Sequence, residues 1–239
     1  MQLYFIRHAQ SENNQIWSDT GSSSGRSEDP GITGLGFRQA QHLADFIHLH
    51  HPAVPANPYD EVNARGIGLT HLYTSLMSRA VLTGHAVAEK IHLPLIGCLD
   101  IYEGGGIYLD DKDSGEPVGL PGKNAKELLL LSSRLVLPEI NPDGWWNRKY
   151  EEREERVSRG KRVLQAILEI HGESDDRIAL FSHAAFYNYF MTAVFGLDER
   201  LPIWFYLNNT GITRIDFNGQ GAALIYSNRT EHLPAELLT

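Results

Sequence analysis

Leu3-Tyr4-Phe5-Ile6-Arg7-His8 decides how the chain reads: a short apolar run rich in β-formers, bounded by polar residues, is a buried strand rather than half of an amphipathic helix. It delivers Arg7 and His8 at its C-terminal end. The arrangement recurs twice. Gly68 to Ser75 reads as a strand followed by a helix from Ser78 to Lys90 that carries Arg79 in its first turn. Arg177 to Ser182, with Ile178-Ala179-Leu180-Phe181 at its centre, reads as a strand ending at His183 before an apolar helix from Ala184 to Phe195. Strands alternating with helices predict a parallel sheet covered on both faces, with polar residues converging where the strands end. The expected fold is α/β, a three-layer α/β/α sandwich with a mostly parallel sheet.

The remaining stretches fill in this frame. Ser11 to Pro30 is rich in Ser, Gly, Asn and Asp and predicts a mobile loop near the site. Thr33 caps an outer helix whose Phe37, Ala40, Leu43, Ala44 and Ile47 follow helical spacing and which ends before Pro52. Leu95 to Leu99 is a further strand, and the glycines between 103 and 122 break any long element there. Lys126 to Leu137 and Tyr150 to His171 have helical composition, and the charge run Glu151 to Arg156 predicts a solvated, ion-paired face. Thr210 to Phe217 and Ala222 to Tyr226, flanking Asn218-Gly219-Gln220-Gly221, predict a closing hairpin. No repeat or linker divides the chain, so residues 1–239 are expected to form one domain with a loop-and-helix cap insertion at about 103–150.

Composition bounds the partners. With 42% hydrophobic and 21% charged residues the chain has the make-up of a soluble globular protein and lacks a membrane span. A net charge of -9 argues against nucleic acid, which needs a basic face. It leaves room for a small phosphorylated metabolite, because arginines in contact outweigh a distant, screened charge. Cys98 is the only cysteine, which excludes an internal disulfide and any multi-thiolate metal site. The opening residues have neither a basic n-region nor a long apolar stretch, so cytoplasmic residence is the expectation. Oligomeric state leaves no trace in the sequence.

Phosphoryl transfer from an ester needs a nucleophile, donors for three phosphoryl oxygens and an acid for the leaving alkoxide. Arg7, His8, Arg79, His183 and a carboxylate supply that set without metal or cofactor. Neutral His8 attacks with one ring nitrogen while an acceptor such as a backbone carbonyl holds the other. Arg7 and Arg79 offer planar forks that match phosphate oxygens, and His183 donates to a phosphate oxygen, helped by N–H groups at the start of the following helix near Ala184.

The segment Leu3 to Asn14 resembles the opening motif of the histidine phosphatase, or phosphoglycerate mutase-like, superfamily. The resemblance continues through Thr33-Gly34-Leu35-Gly36 with Gln39-Ala40, Tyr73 to Ala80 with Thr83, and Leu180 to Ala184, in family order. It implies that His8 is the phosphorylated nucleophile, that Arg7, Arg79 and His183 form a phosphate pocket, and that Asn14 contacts the phosphate. Asn209-Thr210-Gly211-Ile212-Thr213 resembles the family's closing strands and is read as structural.

The chain departs from the pattern at Ala9 and Ala184, where many members have glycine; a methyl group there matters only if the backbone needs a positive φ. The usual block around the acid is replaced by Leu99 to Gly106, in which Glu103 fits best by order, with Asp100 and Glu116 as substitutes. The leading function is hydrolysis of small phosphate monoesters through phosphohistidine. A mutase would use the same groups but hold the phosphoenzyme dry, and a phosphate-binding module would keep the fold without turnover. Gly119-Leu120-Pro121-Gly122-Lys123-Asn124 is not a P-loop, because Pro117 and Asn124 break its pattern. His48, His50 and His51 have no carboxylate partner and are read as solvent-exposed, while Trp145 and Trp146 serve packing or a cleft wall.

Overall fold

The computed structural model describes residues 1–49, 63 and 66–239, so His50, His51 and Pro52 lie outside the described residues. Seven strands form the main sheet: β1 (Gln2–Arg7), β2 (His71–Ser75), β3 (Leu95–Cys98), β6 (Leu135–Val136), β7 (Arg177–Ser182), β8 (Ile212–Asn218) and β9 (Gly221–Arg229). Their order is β6-β3-β2-β7-β1-β8-β9. Pairing is parallel from β6 through β1 and antiparallel for β8 and β9, which form the expected hairpin. A separate two-stranded ribbon joins β4 (Tyr108–Asp110) to β5 (Pro117–Gly119).

The central strands β1 and β7 are buried on both faces, and alternation sends successive side chains to opposite cores. Tyr4, Ile6, Leu72, Ala179 and Phe181 pack toward Leu43, Ile47, Val81 and Val87 of α2 (Gly34–Leu49) and α3 (Ser78–Ile91). Leu3, Phe5, Ile178, Leu180 and Ile215 pack toward Val163, Ile167, Phe186 and Phe190 of α5 (Arg153–His171) and α6 (Ala184–Phe195). Two cores, one on each face, make the predicted three-layer sandwich, and each fully buried Leu, Ile or Phe contributes about 1.5–3 kcal/mol. No helix among the described residues is long and apolar enough to cross a membrane.

Several local expectations change. Ser11 to Pro30 contains a nine-residue helix, α1 (Glu12–Thr20), started by a capping box in which Ser11 and Asn14 satisfy each other's backbone N–H. The expected helix over Lys126 to Leu137 is only α4 (Ala125–Leu129), after which the chain returns to the sheet edge as β6. Thr33 does cap α2, its Oγ1 accepting from the Gly36 N–H at 3.0 Å. A Cβ on Gly36 would collide with the Gln10 carbonyl, so glycine there lets α2 approach the end of β1.

Glu151 corrects the reading of the charge run as a solvated face. Its carboxylate is buried and grips the equally buried Arg159, at 2.6 Å and 2.8 Å. Arg159 also donates to the Asp100 and Tyr102 carbonyls, both at 2.9 Å. One guanidinium therefore ties together the two ends of the segment that carries β4, β5 and α4. Glu152, Glu154 and Glu155 remain exposed, as expected.

Candidate active site

The sheet order puts β2, β7 and β1 side by side, so the groups at their C-terminal ends become neighbours. His8 follows β1, His183 follows β7, and Arg79 lies in the first turn of α3 after β2. The two imidazole rings sit 5.1 Å apart between centroids, and Arg79 Nε donates to His8 Nε2 at 3.2 Å. All three side chains are buried.

A hydrogen bond fixes the tautomer of His8. His8 Nδ1 lies 2.7 Å from the Ala9 carbonyl, which can only accept, so the ring N–H is there and the Nε2 lone pair faces Arg79. Ser75 Oγ accepts from the Met77 N–H and lies 2.9 Å from His183 Nε2; when it donates there, the His183 N–H is on Nδ1. His183 Nδ1 is buried and has no hydrogen-bond partner among the described residues, and the same holds for Arg7 Nε. A buried donor left unmade is costly, and an anion entering between these groups would satisfy both.

The electrostatics match. Burial, with Arg79 and Arg7 adding to it, holds the His8 pKa well below its usual value. Burial, Arg79 and His8 do the same to His183. Both rings are neutral at pH 7, and the local charge belongs to the arginines. Burial also pushes the guanidinium pKa values of Arg7 and Arg79 down, while the nearby Glu103 carboxylate pulls them up.

The model of the histidine phosphatase superfamily (branch 1) matches residues 137–230, a stretch that includes the His183 block and β7 to β9. That stretch of the chain is similar to the histidine phosphatase superfamily. Solved structures of histidine phosphatase-like fold match nearly end to end. A phosphoserine phosphatase from Entamoeba histolytica, solved as a variant with phosphoserine, is 18% identical, with 98% of this chain and 99% of that one covered and a TM-score of 0.61. A putative alpha-ribazole-5'-P phosphatase from Escherichia coli is 18% identical over 96% and 98% of the two chains, TM-score 0.62. A mycobacterial glucosyl-3-phosphoglycerate phosphatase is 16% identical over 95% and 98%, TM-score 0.57. No curated protein matches the chain by sequence.

Within this histidine phosphatase fold the other residues singled out from the sequence fall as follows. Arg7 donates to the Leu207 carbonyl at 2.6 Å and is close enough to His8 to lower its pKa. Glu103 Oε1 accepts from the N–H groups of Gly104, Ala185 and Phe186 at 2.9, 3.1 and 3.2 Å, while Oε2 has no hydrogen bond among the described residues. The N–H groups at the start of α6 thus hold Glu103, which corrects the expectation that they are directed at a phosphate. Asp100 instead lines an apolar pocket with Cys98 and Arg162, and Glu116 stands exposed between β4 and β5. Asn14 spends its Oδ1 on the Ser11 N–H and on Asn209 Nδ2. Ala9 and Ala184 have negative φ, so their methyl groups cost nothing. Trp145 and Trp146 are buried beside Tyr102, a packing role.

Four further residues support the site. Asn209 Nδ2 donates to the His8 carbonyl at 2.8 Å and holds the loop that carries the imidazole. Thr210 beside it has a φ of 58°, an unfavourable value for a β-branched residue, and its N–H caps the Arg7 carbonyl at 3.1 Å. Thr83 Oγ1 accepts the Ala9 N–H at 2.9 Å, and buried Asp29 accepts from the N–H and hydroxyl of Ser78 at 2.8 and 2.6 Å. Asn209-Thr210 and Thr83 lay inside motifs already noted. Asp29 carried no periodic or motif signal.

Proposed function

We propose that this protein is a phosphatase that hydrolyses small phosphate monoesters through a phosphohistidine on His8. The observation that carries the reading is the His8 tautomer: Nδ1–H is locked to Ala9 and the Nε2 lone pair points at the Arg79 guanidinium. A phosphoryl group taking up that space meets the nucleophile and its charge clamp together. The phosphatase names carried by the similar structures support the same class.

In the first step His8 Nε2 attacks phosphorus and forms the N–P bond as the ester P–O bond breaks. Arg7, Arg79 and the Nδ1–H of His183 take the charge on the phosphoryl oxygens. Glu103 has Oε1 anchored on the α6 N-terminus and Oε2 free of protein partners among the described residues, and in its acid form it gives a proton from Oε2 to the departing alkoxide. In the second step the Glu103 carboxylate accepts a proton from water as that water attacks phosphorus. The N–P bond breaks, inorganic phosphate leaves and His8 is neutral again. The arginines provide the charge that a metal ion provides in other phosphatases. Asn14, whose Oδ1 is held by the Ser11 N–H and by Asn209 Nδ2, keeps its amide nitrogen as a further donor for the phosphate.

The test is chemical trapping. Brief incubation with substrate followed by an alkaline quench is expected to leave an alkali-stable, acid-labile phosphate on His8, absent in His8→Ala. The substitution is expected to lower kcat on an aliphatic phosphate by about 10⁴-fold or more. Undiminished turnover in His8→Ala would refute the assignment. Following the product for positional isomers in the same experiment separates hydrolysis from mutase chemistry.

A further inference from the structure

A second pair of histidines sits at the other end of the sheet. His71 opens β2, His171 closes α5, and Asp176 immediately precedes β7. Six residues of β7 at about 3.3 Å each place this cluster roughly 20 Å from His183. Its imidazole centroids are 4.8 Å apart. His171 Nδ1 meets Asp176 Oδ2 at 2.8 Å, His71 Nδ1 lies 3.7 Å from Asp176 Oδ1, and one donor atom from each residue lies within 4.8 Å of the others.

Hydrogen bonding accounts for only part of this arrangement. One carboxylate serves His171 well, but His71 at 3.7 Å is beyond hydrogen-bond reach and bonds Thr70 Oγ1 instead, at 2.9 Å. The remote nitrogen of His171 is held by Tyr73 Oη at 2.9 Å, so Nδ1 is aimed at the cluster. A fixed outer partner on the far ring nitrogen is what orients an imidazole ligand. His171 is buried, whereas His71 and Asp176 have side chains 36% and 27% exposed, which leaves one side of the cluster open to solvent.

We propose that His71, His171 and Asp176 bind a borderline divalent metal ion of the zinc class, with water completing the coordination. Two imidazoles and a carboxylate suit such an ion, whose bonds to nitrogen and oxygen are about 2.0–2.2 Å. A modest turn of the exposed His71 ring and release of the His171–Asp176 hydrogen bond bring all three atoms to one centre. The ligands come from the start of β2 and from the end of α5 and its short connection to β7, so the ion clips that connection to β2. It takes no part in phosphoryl transfer, and the proposal stands independently of the phosphatase reading.

The experiment is a calorimetric titration of the metal-stripped chain with Zn²⁺ in phosphate-free buffer, repeated with Co²⁺ and visible absorption. One site per chain is expected, accompanied by a Zn²⁺-dependent rise in Tm. His71→Gln, a change at an exposed residue that leaves the fold intact, is expected to weaken binding by about tenfold or more and to remove the rise in Tm. Tyr73→Phe is expected to weaken binding by about 10- to 100-fold through the outer partner, and His8→Ala to leave it unchanged. Absence of binding, equal binding by His71→Gln, or loss confined to His8→Ala would each overturn the proposal.

Discussion

Two histidine pairs occupy opposite ends of one sheet with nearly the same ring geometry. His8 and His183 are 5.1 Å apart and tilted by 55°; His71 and His171 are 4.8 Å apart and tilted by 58°. Their surroundings differ in sign. The first pair is enclosed by Arg7 and Arg79, which add to burial in keeping the rings neutral. The second faces the Asp176 carboxylate. The pair of imidazoles therefore does not specify a ligand; the neighbouring charge does, so one end is built for an anion and the other for a cation.

Glu103 acts on both Arg7 and Arg79, whereas the buried Asp29 acts on Arg79, so changing Glu103 should disturb the cationic end most. Glu103→Gln is expected to lower kcat on an aliphatic phosphate by about 10²- to 10⁴-fold. On an aryl phosphate, whose leaving group needs little protonation, the loss should be under about tenfold. Equal losses on both substrates would show that Glu103 positions α6 rather than protonating the leaving group.

Arg79→Lys keeps the positive charge and deletes the fork, which sharpens the contrast between charge and geometry. We expect kcat/KM to fall by about 10²- to 10³-fold. A change within about threefold would mean that charge alone suffices.

The smallest effect concerns stability. His8 and His183 have folded-state pKa values depressed by burial, so below their unfolded value the unfolded chain binds protons that the folded chain does not. The stabilisation is complete above about pH 6.5 and is lost as the pH falls toward the depressed values. Urea midpoints are expected to drop between about pH 7.5 and about pH 5, and to drop less in His183→Asn. Parallel curves for the two proteins would place the acid sensitivity elsewhere.

What the sequence made legible follows from signal strength. Three strand ends were readable because each strand run is followed within a few residues by Arg or His, and the sheet order then made them adjacent. The helix α1 was not, because it buries no residue and its composition of Asn, Ser and Asp is that of a loop. Its start depends on Ser11 and Asn14, a capping box with Asn where Glu or Gln is usual. Glu151 looked solvated because five of its neighbours in the charge run are charged; burial came from Arg159, eight residues away. Asn209 and Asp29 act through long-range hydrogen bonds, which no local pattern encodes.

The Arg159 clasp has an evolutionary corollary. Because one guanidinium gathers both stems of the intervening stretch, its interior can lengthen, shorten or be exchanged while its roots stay registered to the sheet. Glu103 stands next to the first stem and is pinned to the start of α6, so the excursion beyond it is the part a lineage can rewrite without moving that carboxyl group.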